Sequence, residues 1–302
     1  MCRWIRITLV TLTALALLAG AAVFGAVQNG ERKQHRLVAL DVRPVPYADD
    51  ATSLQRGRYL FLSRGCTECH GVDGRGKDVI NDGKGMLVHA PNITSVPNGI
   101  TAAYREADWV RLIRHGVKHD GRPAMVMPSE DYARLTDADL AALVAWVRRL
   151  PAAEGPGATV QFPLVVRALY GTGVIRDAAD KIDHTLPPSA PVPDAATAAH
   201  GAYVANACIG CHGAALSGGR IPGTPPDWPP AANLTPAADG ALAKYPDVAA
   251  FQAMLRTGKR PDGSAVSPVM PFAALKELND TDVQAIWLHL KALPATATGV
   301  GR

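Results

Sequence analysis

Two five-residue motifs constrain this chain more than any other feature of its 302 residues. They are Cys66-Thr67-Glu68-Cys69-His70 and Cys208-Ile209-Gly210-Cys211-His212, placed 142 residues apart. A bare Cys-x-x-Cys is ambiguous. Zinc would want two such pairs, or a pair with two histidines, in one small module. A thioredoxin-like redox pair would need a βαβ context, which the pattern lacks. Two local disulfides suit an oxidising compartment, but they do not explain a histidine in the same place twice. Cys-x-x-Cys-His is the attachment signature of c-type haem. The two thiols bond the haem vinyls, and the adjacent histidine comes under the iron as its proximal ligand. The doubled motif therefore leads to two covalently bound haem c groups, on Cys66 and Cys69 with His70, and on Cys208 and Cys211 with His212. The fifth cysteine, Cys2, stands ahead of an apolar run and reads as incidental.

The motifs sit in a tandem repeat. Gly57 and Tyr59 recur as Gly201 and Tyr203, and Asn92-Ile93-Thr94 as Asn233-Leu234-Thr235. Arg114-His115-Gly116 and Asp120-Gly121 recur as Arg256-Thr257-Gly258 and Asp262-Gly263, and Met127-Pro128 as Met270-Pro271. Leu135 to Leu140 matches Leu278 to Val283, and both copies run an apolar helical pattern into Leu150-Pro151 and Leu293-Pro294. The offset stays between 141 and 143 beyond the motifs. This divides the chain into an N-terminal segment at 1–30, a first domain at 48–151, a strap at 152–199 and a second domain at 200–294.

The repeat also nominates distal iron ligands. A thioether is a soft, neutral ligand, and Met/His ligation raises a haem potential. Met127 follows His70 by 57 residues and Met270 follows His212 by 58. Each precedes a proline, which ends a helix and fixes a loop. Met125 and Met86 compete with Met127 on position alone, but they and Met254 read better as packing residues. His115 and His119 have Thr257 and Pro261 as counterparts, so the repeat gives them no support, and both read as solvated loop residues. A proximal histidine needs its other ring nitrogen held, commonly by a backbone carbonyl. The loop at Pro91-Asn92, with Ala232-Asn233 as its counterpart, is where one is expected. In the first C-terminal helix, Thr136 or Asp137 reads as the N-cap, with Leu140, Leu143, Val144 and Val147 on one face.

Charge locates the remaining signal. The net balance is +4, and residues 1–47 hold six basic residues against two acidic ones. The two repeats are close to neutral, which excludes a nucleic-acid partner. Ile7 to Val27 carries no charge, and a helix of its length spans about 31 Å, close to a bilayer's hydrocarbon core. Ala19-Gly20-Ala21 resembles a signal cleavage site, yet the run is longer than an ordinary signal h-region. An uncleaved anchor is the first expectation and a soluble periplasmic protein after cleavage the second. Strap residues Asp183 and His184 read as a plain surface pair, and the strap itself as ordered packing between the haem units.

On these motifs, with Met127 and Met270, the chain resembles the class I c-type cytochromes in tandem dihaem, membrane-anchored form. The resemblance implies an all-α fold, a few short helices wrapped around each haem. It implies a crossing of the N-terminal helix, at Gly57 and Tyr59, with a C-terminal aromatic, Trp146. The second copy departs here: Trp146 aligns with His289, which leaves Trp287 as a substitute. The implied task is electron transfer in a periplasmic or membrane respiratory chain, with a dehydrogenase as donor and a cytochrome or oxidase as acceptor. The implied location is the periplasmic face of a bacterial inner membrane. The rival reading is a haem enzyme, a dihaem peroxidase or thiosulfate-oxidising cytochrome, which would need one displaceable iron ligand.

Overall fold

The computed structural model describes residues 3–97, 99–225 and 227–301, so Cys2 lies outside the described residues. Helix α1 (Arg3–Gln34) is long and apolar enough to cross a bilayer, and its most apolar stretch is exposed along its whole length. The first domain contains α2 (Ala51–Ser63), α3 (Cys66–His70), strands β1 (Asp78–Asn81) and β2 (Leu87–His89), α4 (Glu106–His115), α5 (Ser129–Tyr132) and α6 (Asp137–Arg148). The strap supplies β3 (Thr159–Gln161), α7 (Leu164–Gly171) and α8 (Ala178–Lys181). The second domain repeats the helical plan with α9 (Ala198–Ala205), α10 (Ile209–His212), α11 (Val248–Thr257), α12 (Phe272–Leu275) and α13 (Asp280–Ala292). The fold is predominantly helical. This agrees with the expected all-α class, to which the structure adds one small antiparallel sheet in the order β1-β2-β3.

Each domain is built on one close helix crossing. Gly57 of α2 lies against α6 so tightly that a Cβ there would collide with the Ala142 carbonyl oxygen and come within 2.9 Å of the Trp146 Cβ. Gly201 of α9 meets Ala285 and His289 of α13 in the same way. The crossing is therefore kept in the second domain with histidine in the aromatic's place. Trp287 does not substitute; its ring lies 5.5 Å from Phe251 of α11 instead. The contact is between backbones, so the side chain beyond Cβ at this position does not set it.

Local signals act as the residue types demand. Thr136 caps α6, its hydroxyl accepting from the Asp139 amide, and Asn279 caps α13 by accepting from the Asp282 amide. Leu140, Leu143, Val144 and Val147 are all buried. Gly116 and Gly258 end α4 and α11 at φ 64° and 70°, the left-handed conformation that favours glycine.

One apolar core runs through both domains, from Leu60, Phe61 and Leu143 to Tyr203, Phe251 and Leu290. The strap does not lie between the domains along its whole length, as expected. Its first part wraps the first domain and α1: β3 completes the sheet, and Ala178 donates its amide to the Ala124 carbonyl at 3.1 Å. His184 is not a plain surface residue but packs on His115, the rings 5.2 Å apart.

Candidate functional site

The two Cys-x-x-Cys-His segments form α3 and the short turn from Asn206 into α10. None of the four cysteines is in a disulfide. Among the described residues no three His, Cys, Asp or Glu side chains gather as a metal site. Burial pushes the Cys66 and Cys208 thiols up to about 12, and Cys69 also upward. Such thiols are poor thiolates and unsuited to exchange chemistry. Among the described residues nothing supports the disulfide or zinc readings. Paired thiols beside a positioned histidine are what covalent haem attachment uses.

Both histidines are held as the sequence anticipated. His70 Nδ1 lies 3.0 Å from the Pro91 carbonyl oxygen, and His212 Nδ1 lies 2.8 Å from that of Ala232. With Nδ1 donating to a carbonyl, Nε2 is the nitrogen that would face an iron. Burial lowers the His70 pKa, and the Pro91 bond works against that, so the ring is neutral at physiological pH, as a metal ligand must be.

What fixes those carbonyls was not assigned from sequence. Asn92 and Asn233 are buried, and each side-chain oxygen accepts from the amide two residues on, Thr94 at 2.8 Å and Thr235 at 2.9 Å. Each side-chain amide then donates across the domain, to the Ala153 carbonyl at 2.7 Å and the Thr296 carbonyl at 2.8 Å. The Asn-x-Thr repeat therefore pins the loop that carries the histidine's partner to the chain just past Leu-Pro. The repeated Asn-x-Thr was the available signal, since a buried amide needs every hydrogen bond it can make.

Met127 and Met270 are half-buried against the core. Their surroundings are duplicated closely. Ser129 donates its amide to the Met127 carbonyl at 2.9 Å, and Phe272 to that of Met270 at 2.8 Å. The intervening prolines hold φ −80°, ψ 62° and φ −79°, ψ 68°. Each Met-Pro is thus an inverse γ-turn, so the backbone takes the same course at both methionines. Met125 lines a surface groove with Lys118, Arg122 and Val160, and Met254 is core. His119 stacks on Tyr104 and pairs with Asp108 at 3.2 Å. His115 is not a solvated loop residue: it ends α4, half-buried, 3.1 Å from His184. Burial, then His184 and Arg114, lower its pKa to about 4.

Across the interface the domains exchange contacts with a pseudo-two-fold pattern. Tyr59 donates its hydroxyl to Asp282 at 2.6 Å, and Tyr203 donates to Asp139 at 2.6 Å. Within each domain the same carboxylates take Arg56 at 2.8 Å and His200 at 2.7 Å. Buried Arg64 adds a third partner to Asp282 at 3.2 Å. Burial opposes both charges, yet Arg56 holds Asp139 and Arg64 holds Asp282 below the ordinary carboxylate range. This lock seats the helix after each Met-Pro turn on the other domain's attachment motif. Helix α5 packs on α10 and the turn before it, and α12 packs on α3. Asp131 accepts from the Gly210 amide, inside the second motif, at 2.7 Å, and Tyr132 donates to the Arg64 carbonyl at 2.7 Å.

The cytochrome c family model matches residues 54–151 and 196–294. The chain belongs to the cytochrome c family. It carries two haem c groups, one for each match. It is 27% identical over 292 residues to the fructose dehydrogenase cytochrome subunit of Gluconobacter japonicus, covering 86% of this chain and 56% of that protein. It is 26% identical over 286 residues to the alcohol dehydrogenase (quinone) cytochrome c subunit of Gluconobacter oxydans (strain 621H), covering 83% and 57%. A 140-residue stretch is 30% identical to the gluconate 2-dehydrogenase cytochrome c subunit of Pantoea cypripedii, covering 44% of this chain and 27% of that protein. The chain thus spans little more than half the length of the fructose and alcohol dehydrogenase cytochrome subunits.

Proposed function

We propose that this cytochrome is an electron-transfer subunit, passing electrons from a periplasmic dehydrogenase towards a cytochrome or terminal oxidase. In this reading α1 holds it on the periplasmic face of a bacterial inner membrane. Cys66 and Cys69 hold one haem and Cys208 and Cys211 the other. His70 with Met127, and His212 with Met270, would supply the ligands to the two irons. The haem supplies reversible one-electron iron chemistry when bound. The protein's own part is positional. The Pro91 and Ala232 carbonyls orient the histidines, and the Met-Pro turns present the thioethers. Relatives named as cytochrome subunits of fructose, alcohol and gluconate dehydrogenases support the donor class.

The observation that carries the proposal is the reciprocal seating of α5 on the second attachment motif and α12 on the first. It brings the Cys-bearing helices of both domains to one shared boundary, as a two-step relay requires. The matched γ-turns also favour two six-coordinate irons over an open peroxidase-like centre. The test is to reduce the protein purified from solubilised membranes and to follow both haems. Reversible reduction of both, with a co-purifying dehydrogenase and no turnover of small substrates, is the expected result. Met127→Ala should abolish about half of the sulfur-to-iron absorption at the red end of the spectrum and lower one potential only. Steady peroxide or thiosulfate consumption by the unaltered protein would overturn the reading.

A further inference from the structure

The strap's one apolar helix, α7, is absorbed neither by the haem domains nor by the sheet. It lies on α1, with backbones in contact. A Cβ on Gly30 would collide with the Arg167 carbonyl oxygen, and a Cβ on Gly171 with that of Ala26. Asn29 donates its side-chain amide to the Gly171 carbonyl at 2.6 Å. Residue 167 thus meets 30, and 171 meets 26, so α7 runs antiparallel to α1 and descends towards the apolar stretch. The uncharged run of α1 ends at Val27. The end of α7 is therefore level with the boundary of that run, and the turn beyond it is the lowest point of the strap. The chain then climbs back. The Ile175 amide donates to the Leu169 carbonyl at 3.2 Å, and Asp177 and Asp180 meet Arg36 and Lys33 at 2.6 and 3.1 Å.

The turn has the composition of a membrane-facing element. Thr172 and Gly173 are exposed, and Val174 exposes 50% of its surface. From Gln161 to Arg176 there is no acidic residue, while Arg167 and Arg176 are basic. Arg176 is exposed, as is Arg32 on the adjoining turn of α1. A bare valine flanked by cations suits the layer where acyl chains meet anionic headgroups. Of the carboxylates that follow, Asp177 is fully buried on Arg36 and Tyr170, and Asp180, though exposed, pairs with Arg36 and Lys33.

We propose that the Thr172–Val174 turn, at the foot of α7, enters the headgroup boundary of the leaflet from which α1 emerges, so that strap and anchor together fix the tilt of the haem domains over the membrane. The proposal rests on the anchor reading of α1. A lipid surface is chosen over a protein partner because the turn sits beside the end of the apolar run of α1, where lipid is the neighbour. The closely packed Gly30–Gly171 contact makes the pair a rigid unit, so a second point of membrane contact would restrict rocking about α1.

The experiment places the photo-crosslinker p-benzoylphenylalanine, one site at a time, at Val10, Val174 and Leu186 of the full haem-loaded chain, reconstituted in vesicles of mixed phosphatidylethanolamine and phosphatidylglycerol. Val10 lies in the apolar run and Leu186 is an exposed apolar residue of the strap remote from α1. The expected result is acyl-chain adducts at positions 10 and 174, with at least a tenfold lower yield at 186. Lipid adducts at 10 with none above the position-186 level at 174 would overturn the proposal, as would crosslinks from 174 to protein alone. Absence of position 10 from the mature protein, or its failure to label lipid, would instead remove the anchor reading, and position 174 would still report for itself.

Discussion

The two haem domains share a plan but not its materials, and the differences gather in three places. The first is the close helix crossing. Trp146 beyond Gly57 is replaced by His289 beyond Gly201, yet both glycines approach the facing helix equally closely. The second is the boundary between the domains. Arg64 and Asp131 of the first domain have Asn206 and Ala274 as counterparts. The first domain thus brings Arg64 and Asp131 to the boundary, while the second answers with Asp282 and a backbone amide at Gly210. A third difference lies beside the proximal histidine. Gly74 takes φ 75° without cost, whereas its counterpart Leu216 is held at φ 53° and buried in the core. A non-glycine residue there stores about 1–3 kcal/mol of backbone strain, offset in part by the apolar surface that the leucine buries. The domains teach that backbone approach and turn geometry are what this fold must preserve, and that charge and side-chain volume can be traded between copies.

The comparison is broken most severely at the crossings. Gly57→Leu and Gly201→Leu should each cost on the order of 3 kcal/mol or more, because the helices must part. Both should abolish haem loading in their own domain, read by haem stain and intact mass. Next comes the buried boundary. Asp282→Ala strands Arg64 without a charged partner and should cost about 3–5 kcal/mol, measured by denaturant unfolding. Asp139→Ala should cost less, because Arg56 also pairs with Asp194 at 3.0 Å and is partly exposed. Equal losses would show that Arg64 does not distinguish the two sides. Tyr59→Phe and Tyr203→Phe each remove one bond to a buried carboxylate, worth about 1.5–3 kcal/mol. If the domain lock is symmetrical, the two losses should match.

The last effect is a slope. Burial pushes the Asp131 carboxyl up to about 8 from the ordinary 3.8, with the Gly210 amide working against it. A carboxyl raised in the folded state keeps its proton after the unfolded chain has lost its own. Its contribution is complete below about pH 4 and is lost as pH rises to about 8. Asp131→Asn should therefore flatten the decline in unfolding free energy across that window. Ala274→Asn, at the matching place in the other domain, should leave the slope unchanged.

Much of this was legible in the sequence because covalent chemistry and local turns need particular residue types. Cys-x-x-Cys-His names its own chemistry. Met-Pro and the Thr or Asn caps act within a few residues of themselves, and the repeat shows each of them twice. The carbonyl partners of His70 and His212 were found because the proximal loop recurred. Other features were illegible for a common reason. Tyr59 was read as part of the helix crossing within its own domain, whereas its hydroxyl reaches Asp282 of α13 in the other domain, and His115 and His184 are 69 residues apart. The small sheet needs a strand from the strap, and a three-residue run such as Thr159–Gln161 carries no usable period on its own.

By itself, then, the sequence determined the tandem cytochrome c plan with its two haem c groups and the apolar N-terminal helix, and it nominated residues for each iron, since these rest on motif spacing, on the repeat or on contacts within a few residues. The tertiary structure alone decided that the attachment motifs share one boundary, that Asp139 and Asp282 each serve both domains, and that α7 descends along α1. Those facts depend on groups more than 60 residues apart meeting in one buried place. There the free energy of pairing a desolvated charge, or of bringing two backbones into contact, exists only once the chain has closed around it.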